Sequence, residues 1–162
     1  MKSFILESIL AASLLTSFSV AAAGPAADVN LSAGLTEKGA PLAAHGYDVV
    51  SFFTDARPSL GVGAYTAVHG GGAYRFAIAE HLDAFKANPD KYLPQYGGFC
   101  AFGAALGKKF DGNPRLWKIV NGKLYFNLNE EIVSKWVTDI PGNIAKADQN
   151  WKKIAAKRPD QL

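Results

Sequence analysis

The stretch Trp117-Lys118-Ile119-Val120-Asn121-Gly122-Lys123-Leu124-Tyr125-Phe126-Asn127-Leu128 decides the fold class. Asn121-Gly122 is the strongest two-residue hairpin signal, because both positions tolerate positive φ and the resulting turn matches the twist of the flanking strands. Counting back from the turn pairs Ile119 with Leu124 and Trp117 with Phe126 on one face. The other face pairs Val120 with Lys123 and Lys118 with Tyr125. The first face is apolar and the second mixed, so the spacing predicts an antiparallel hairpin with one side on the core.

Toward the C-terminus, Asn129 stands where a helix would be capped, with Glu130 and Glu131 suited to the positive end of its dipole. Ile132, Val133, Trp136, Val137 and Ile140 form an inner stripe. Pro141 interrupts it, and Ile144, Ala147, Trp151 and Ile154 mark a second amphipathic helix.

Toward the N-terminus, Tyr92–Gly107 is apolar but punctuated by Pro94, Gly97, Gly98 and Gly103. This predicts a buried loop leading into a short helix over Ala101–Leu106. Ala79–Asn88 carries helical spacing through Ile78, Leu82 and Phe85, and Asn88-Pro89 closes it. Ala64–His69 and Ala73–Ile78 flank Gly70-Gly71-Gly72, a second hairpin. The glycines are not a phosphate loop, because no helix start with Lys-Ser or Lys-Thr follows. Val49–Phe53, entered through His45-Gly46-Tyr47-Asp48, reads as the first strand. The pattern predicts an α+β fold, a small antiparallel sheet with hairpins packed against about three helices.

The chain opens with Met1-Lys2-Ser3 and an apolar run from Phe4 to Val20, broken by Glu7, and then Ala21-Ala22-Ala23. A positive start, an apolar centre and a small-residue end predict a secretory signal over 1–23 and export across the inner membrane to a periplasm. A span needs about 20 apolar residues, so no membrane span is expected after processing; a retained anchor is the alternative that Glu7 leaves open. Residues 24–40 read as a flexible leader, 41–157 as one domain and 158–162 as a tail. With 49% hydrophobic residues and a single cysteine, Cys100, the core must be held by apolar packing rather than by a disulfide framework. The net charge of +3 is modest. Its late cluster, Lys146, Lys152, Lys153, Lys157 and Arg158, reads as the wet face of a terminal helix and not as a nucleic-acid surface.

Several separated motifs then resemble one family. Gly46-Tyr47-Asp48-Val49-Val50-Ser51-Phe52-Phe53, Tyr74-Arg75-Phe76, Phe85, Asn88-Pro89, Lys91-Tyr92 and Pro94-Gln95-Tyr96-Gly97-Gly98-Phe99-Cys100-Ala101 are similar in order to the exported, stand-alone branch of the YHS-domain family. Trp117–Tyr125, Ile140-Pro141-Gly142-Asn143-Ile144 and Trp151 extend the likeness, which runs from about Pro41 to Trp151. The resemblance implies a small α+β domain related to treble-clef metal fingers, and metal sensing or delivery. Its metal-binding relatives carry cysteines at the positions matching Ser51, Ala77 and His81. Of these only His81 is a strong ligand, so no family-type structural zinc is expected.

Among candidate residues, His81 can ligate copper, nickel or zinc through one ring nitrogen, or be satisfied by a backbone carbonyl. Cys100, in a glycine-flanked aromatic loop, is a Cu(I) ligand or redox group if ionised, and a small apolar core residue if not. Tyr47, Asp48, Gln95 and Tyr96 either line a small-molecule pocket beside Cys100 or cap turns and seal the core. His45 and His69 are expected at the surface. H-E-x-x-H, G-x-S-x-G and Walker-type loops do not occur, and no catalytic set is assigned.

The expectation is an exported YHS-like binding protein handling a transition metal at His81 and Cys100, copper ahead of zinc because imidazole plus thiolate suits it. The alternative is a metal-free domain whose partner is a small ligand or a periplasmic protein. The third reading is a thiol redox protein using Cys100.

Overall fold

The computed structural model describes residues 27–162. The signal reading of 1–23 and the start of the leader lie outside these residues. Strands β3 (Asn113–Val120) and β4 (Lys123–Asn127) form the hairpin in the register counted from the turn, with Trp117 opposite Phe126 and Ile119 opposite Leu124. Asn121 and Gly122 take φ of 51° and 72°, the left-handed pair that a tight two-residue turn requires.

The hairpin was expected to pack one face on the core, and both faces of β4 do. Leu124 and Phe126 enter one core with Phe52, Phe76 and Phe85, whereas Tyr125 enters a second with Tyr96, Trp136, Ala101, Ala104 and Ala147. Strand β4 is therefore the wall between two cores, each taking alternate side chains. Small residues on the second core's helices let them approach that wall. The outer edge of β4 is covered too: the chain runs parallel beside it, with bridges Pro94–Leu124 and Cys100–Phe126.

Strands β1 (Val62–His69) and β2 (Gly72–Phe76) make the second hairpin around Gly70 and Gly71, at φ of 54° and 79°. Each hairpin is its own two-stranded sheet rather than part of one. Gly72 is needed for closeness, since a Cβ there would meet Leu31 Cδ2 at 2.9 Å and Ala43 Cβ at 3.0 Å.

Helix α1 (Ser51–Thr54) replaces the strand expected at Val49–Phe53. Asp48 Oδ1 accepts the amides of Val50 (2.9 Å) and Ser51 (3.3 Å), so a buried carboxylate turns the chain where β-branched residues favour extension. Helices α2 (Ala79–Ala87), α3 (Pro89–Tyr92) and α4 (Ala101–Ala105) follow. Helix α5 (Glu130–Trp136) is capped by Asn129, whose Oδ1 accepts from Ile132 N at 2.9 Å. Of its expected inner stripe only Trp136 is fully buried, and Val137 is 47% exposed. Helix α6 (Ile140–Ile154) starts with Pro141 in its first turn, the position where a missing N–H costs nothing, and buries Ala147 and Ile154.

Residues 27–40 are not a loose leader. Asn30 N donates to Gly97 O at 2.9 Å, Ser32 N to Leu42 O at 2.8 Å, and Val29 and Leu31 pack on the first core. Their alternating apolar positions are diluted by small neighbours, which hides the period. The lysines and arginine at the C-terminal end, Lys146 to Arg158, lie exposed.

Candidate functional site

Asp48 is fully buried and its carboxylate is used on both oxygens. Oδ1 takes the Val50 and Ser51 amides, while Oδ2 takes the Ala77 amide at 2.8 Å and lies 2.6 Å from His81 Nδ1. The three positions matched to cysteines in the resembled metal fingers, Ser51, Ala77 and His81, thus all bond one carboxylate. The buried carboxyl group is satisfied by these four contacts and ties α1 to the β2–α2 corner. Ser51 Oγ is itself spent on Asp48 O and Arg57 O at 2.8 and 3.0 Å.

His81 is buried and engaged at both nitrogens, since Nε2 lies 3.1 Å from Thr54 Oγ1 and 3.8 Å from Asp55 Oδ1. A carboxylate, rather than the expected backbone carbonyl, satisfies it. Asp48, His81 and Thr54 have the order of a hydroxyl–imidazole–acid relay, but Thr54 lies on open surface and lines neither cleft described below.

Cys100 is fully buried beside β4 and shares no partner with His81. Its Sγ accepts from Gly103 N at 3.4 Å, capping α4, and lies 3.7 Å from Asn127 Oδ1. Burial raises its pKa, opposed by backbone amides, so the thiol is held neutral. Among the described residues, no group of three or more His, Cys, Asp or Glu side chains is placed to hold a metal.

The other expected site residues separate. Tyr96 is buried in the second core, its hydroxyl donating to Asp148 Oδ1 at 2.9 Å. Burial, then Asp148, pushes its phenol pKa well above the ordinary value. Gln95 is half-buried in the turn Gln95–Gly98. His69 is half-buried, edge-on to the Phe85 ring at 5.9 Å, and not at the surface as expected; His45 is exposed. The pocket expected beside Tyr47, Tyr96 and Cys100 is not formed by those three. Tyr47 lines a cleft with other residues.

That cleft, about 350 Å³, is walled by His45, Tyr47, Asp111, Asn113 and Arg115, with Pro114 and Leu128 at its apolar side. Arg115 Nε donates to Tyr47 Oη at 2.9 Å, which leaves the terminal guanidinium nitrogens and the phenol proton for a ligand. His45 Nε2 lies 2.8 Å from Asp111 Oδ1, and Asn30 Nδ2 donates to the same oxygen at 2.7 Å, so Asp111 Oδ2 is free of these bonds. Ala44, His45 and Gly46 are consecutive left-handed residues, at φ of 48°, 51° and 75°. Tyr96, Gly97 and Gly98 form a second such run, at 54°, 63° and 86°. Asn30 links the second run to Asp111, the partner of His45, since it also donates to Gly98 O at 3.2 Å.

A second cleft, about 200 Å³, lies on the other side of Arg115, between β3 and α5, and is lined by Trp117, Lys118, Asn127 and Trp136.

Sequence reasoning missed Lys109. It is buried, and its Nζ donates to the carbonyls of Ala27, Ala155 and Lys157 at 2.6, 2.7 and 2.6 Å, beneath the rings of Phe99 and Trp151. Burial lowers its pKa, with Asp28 opposing. The ammonium closes the C-terminal end of α6 onto residue 27. A lysine beside a lysine carries no sequence signal for this role.

Comparison of the chain with protein-family models, with curated proteins and with solved structures returned no match.

Proposed function

We propose that this chain is an exported, YHS-like binding domain that takes a small zwitterionic solute, of about amino-acid size, in the cleft between His45, Tyr47, Asp111 and Arg115. The observation that carries this reading is the pairing of strained backbone with an exposed His45–Asp111 contact. Ala44 and His45 each cost about 1–2 kcal/mol in the left-handed region. The His45–Asp111 pair, with side chains 40% and 52% exposed, returns only about 0–1 kcal/mol. Strain held at a cleft is the pattern of a site kept in place for a ligand. Arg115 offers a two-pronged donor for a carboxylate, and Asp111 Oδ2 an acceptor for an ammonium group. The volume lies at the lower end of ligand sites.

The metal reading has less support. Both His81 nitrogens are engaged, the Cys100 thiol is held neutral, and the two share no partner. Calorimetric titration of the mature chain with alanine, glutamate, acetate and propylammonium tests the proposal. Saturable binding of the amino acids, lost in Arg115→Gln and in Asp111→Asn, supports it. Binding of acetate alone, or amino-acid binding unchanged in both variants, overturns it.

A further inference from the structure

The second cleft contains an unusual group: the indole nitrogen of Trp136 is buried and has no hydrogen-bond partner among the described residues. Trp136 is 1% exposed and forms part of the cleft wall. An unmade bond at a buried N–H costs about 1–3 kcal/mol, so the donor is primed for an acceptor that enters from outside. The same cleft is lined by Asn127, whose hydrogen bonds from Cys100 and Phe102 both fall on Oδ1. Its amide NH2 is therefore a second donor. Lys118 and Arg115, both exposed, add positive charge, and among the described residues no acidic side chain lines the cleft. Leu116, Trp117, Val133 and Val137 supply apolar walls.

We propose that this cleft is a binding site for a small carboxylate with a short apolar tail, the carboxylate taking the Trp136 indole N–H and the Asn127 amide, and the tail lying against Trp117 and Val133. Lys118 and Arg115 attract the anion to the mouth. Val137, 47% exposed, lines the same cleft as Trp136. The site is separate from the cleft of His45 and Tyr47, and the two proposals fail separately. Asp111→Asn touches only the first cleft and Trp136→Phe only the second, while Arg115 borders both.

The test is a heteronuclear NMR titration of the whole mature chain with sodium butyrate, following the tryptophan indole N–H signals. Sodium chloride at equal ionic strength and butylammonium chloride serve as controls. The Trp136 signal, assigned by its loss in Trp136→Phe, is expected to move downfield and saturate with butyrate only. Trp136→Phe, which keeps a ring in the core but removes the donor, is expected to weaken butyrate binding about tenfold, equivalent to about 1.4 kcal/mol. Lys118→Ala is expected to weaken it less and to reduce its salt dependence. A Trp136 signal that does not move, that moves equally with chloride or butylammonium, or butyrate binding unaltered in Trp136→Phe overturns the proposal.

Discussion

His81 Nδ1 lies 2.6 Å from Asp48 Oδ2, and the same carboxylate takes the amides of Val50, Ser51 and Ala77. An acid thus occupies the meeting point of the three positions where the resembled metal fingers carry cysteines. Removing the Asp48 side chain strands the Val50 and Ala77 amides and one imidazole nitrogen, the Ser51 amide keeping Asp48 O at 3.2 Å, whereas removing His81 leaves the carboxylate with its three amide donors. Asp48→Ala is therefore expected to destabilise the fold by about 3–5 kcal/mol, and His81→Ala by about 1–3 kcal/mol. Urea unfolding of both variants checks the order. A larger loss for His81→Ala would contradict the hub.

The same geometry bears on metal binding. His81 and Cys100 belong to separate hydrogen-bond sets, and a ligand pair for copper must converge on bonds of about 2.0–2.3 Å. Titrations of the chain with Cu(I), Cu(II) and Zn(II) are expected to coincide with those of His81→Ala and Cys100→Ala. Stoichiometric binding lost in either variant would restore the metal reading.

Burial holds the Cys100 thiol and the Tyr74 and Tyr96 phenols neutral, each with its pKa raised. A raised folded-state pKa on an acid means that the folded protein keeps a proton that the unfolded chain releases. The resulting stability is complete below the unfolded value, near 9 for the thiol and 10 for the phenols, and is lost as pH rises toward the folded values. Denaturant midpoints are expected to fall steadily above about pH 9. Cys100→Ala is expected to flatten the first part of that fall. Iodoacetamide at pH 8 is expected to label the native thiol far more slowly than the urea-unfolded one, and equal rates would contradict its burial.

Lys109 links both ends of the described chain through three carbonyls. Hydrogen bonds from a charged donor are worth about 1.5–3 kcal/mol each before the cost of burying the ammonium. Lys109→Met keeps the stem and removes the donor, and is expected to cost about 2 kcal/mol. Amide exchange should rise together at residues 27–31 and at the end of α6. Faster exchange at one end alone would show that the lysine does not couple them.

Much of the fold was legible because its signals are local. Asn121-Gly122 set the register of β3 and β4, Gly70-Gly71 the other hairpin, and Asn129 the start of α5. The strand reading of Val49–Phe53 failed because the buried carboxylate of Asp48, immediately before it, outweighed β propensity. The candidate site was less legible. His45 and Asp111, or Tyr47 and Arg115, are brought together only by tertiary packing, and nothing in their spacing announces it. Tyr47 was found within its motif, whereas Asp111 lies in the loop before β3 and Arg115 near the start of that strand, in a stretch without pattern. Trp136 reads as a core stripe residue, and that an indole N–H lacks a partner is visible only in three dimensions.

The central claim is that the His45–Tyr47–Asp111–Arg115 cleft binds a ligand, and heteronuclear NMR mapping with glutamate tests it most directly. Saturable shifts are expected to cluster on the amides of His45, Tyr47, Asn113 and Arg115 and on the Arg115 side chain, and to vanish in Arg115→Gln. Shifts scattered over the surface, or persisting unchanged in Arg115→Gln, would contradict the account.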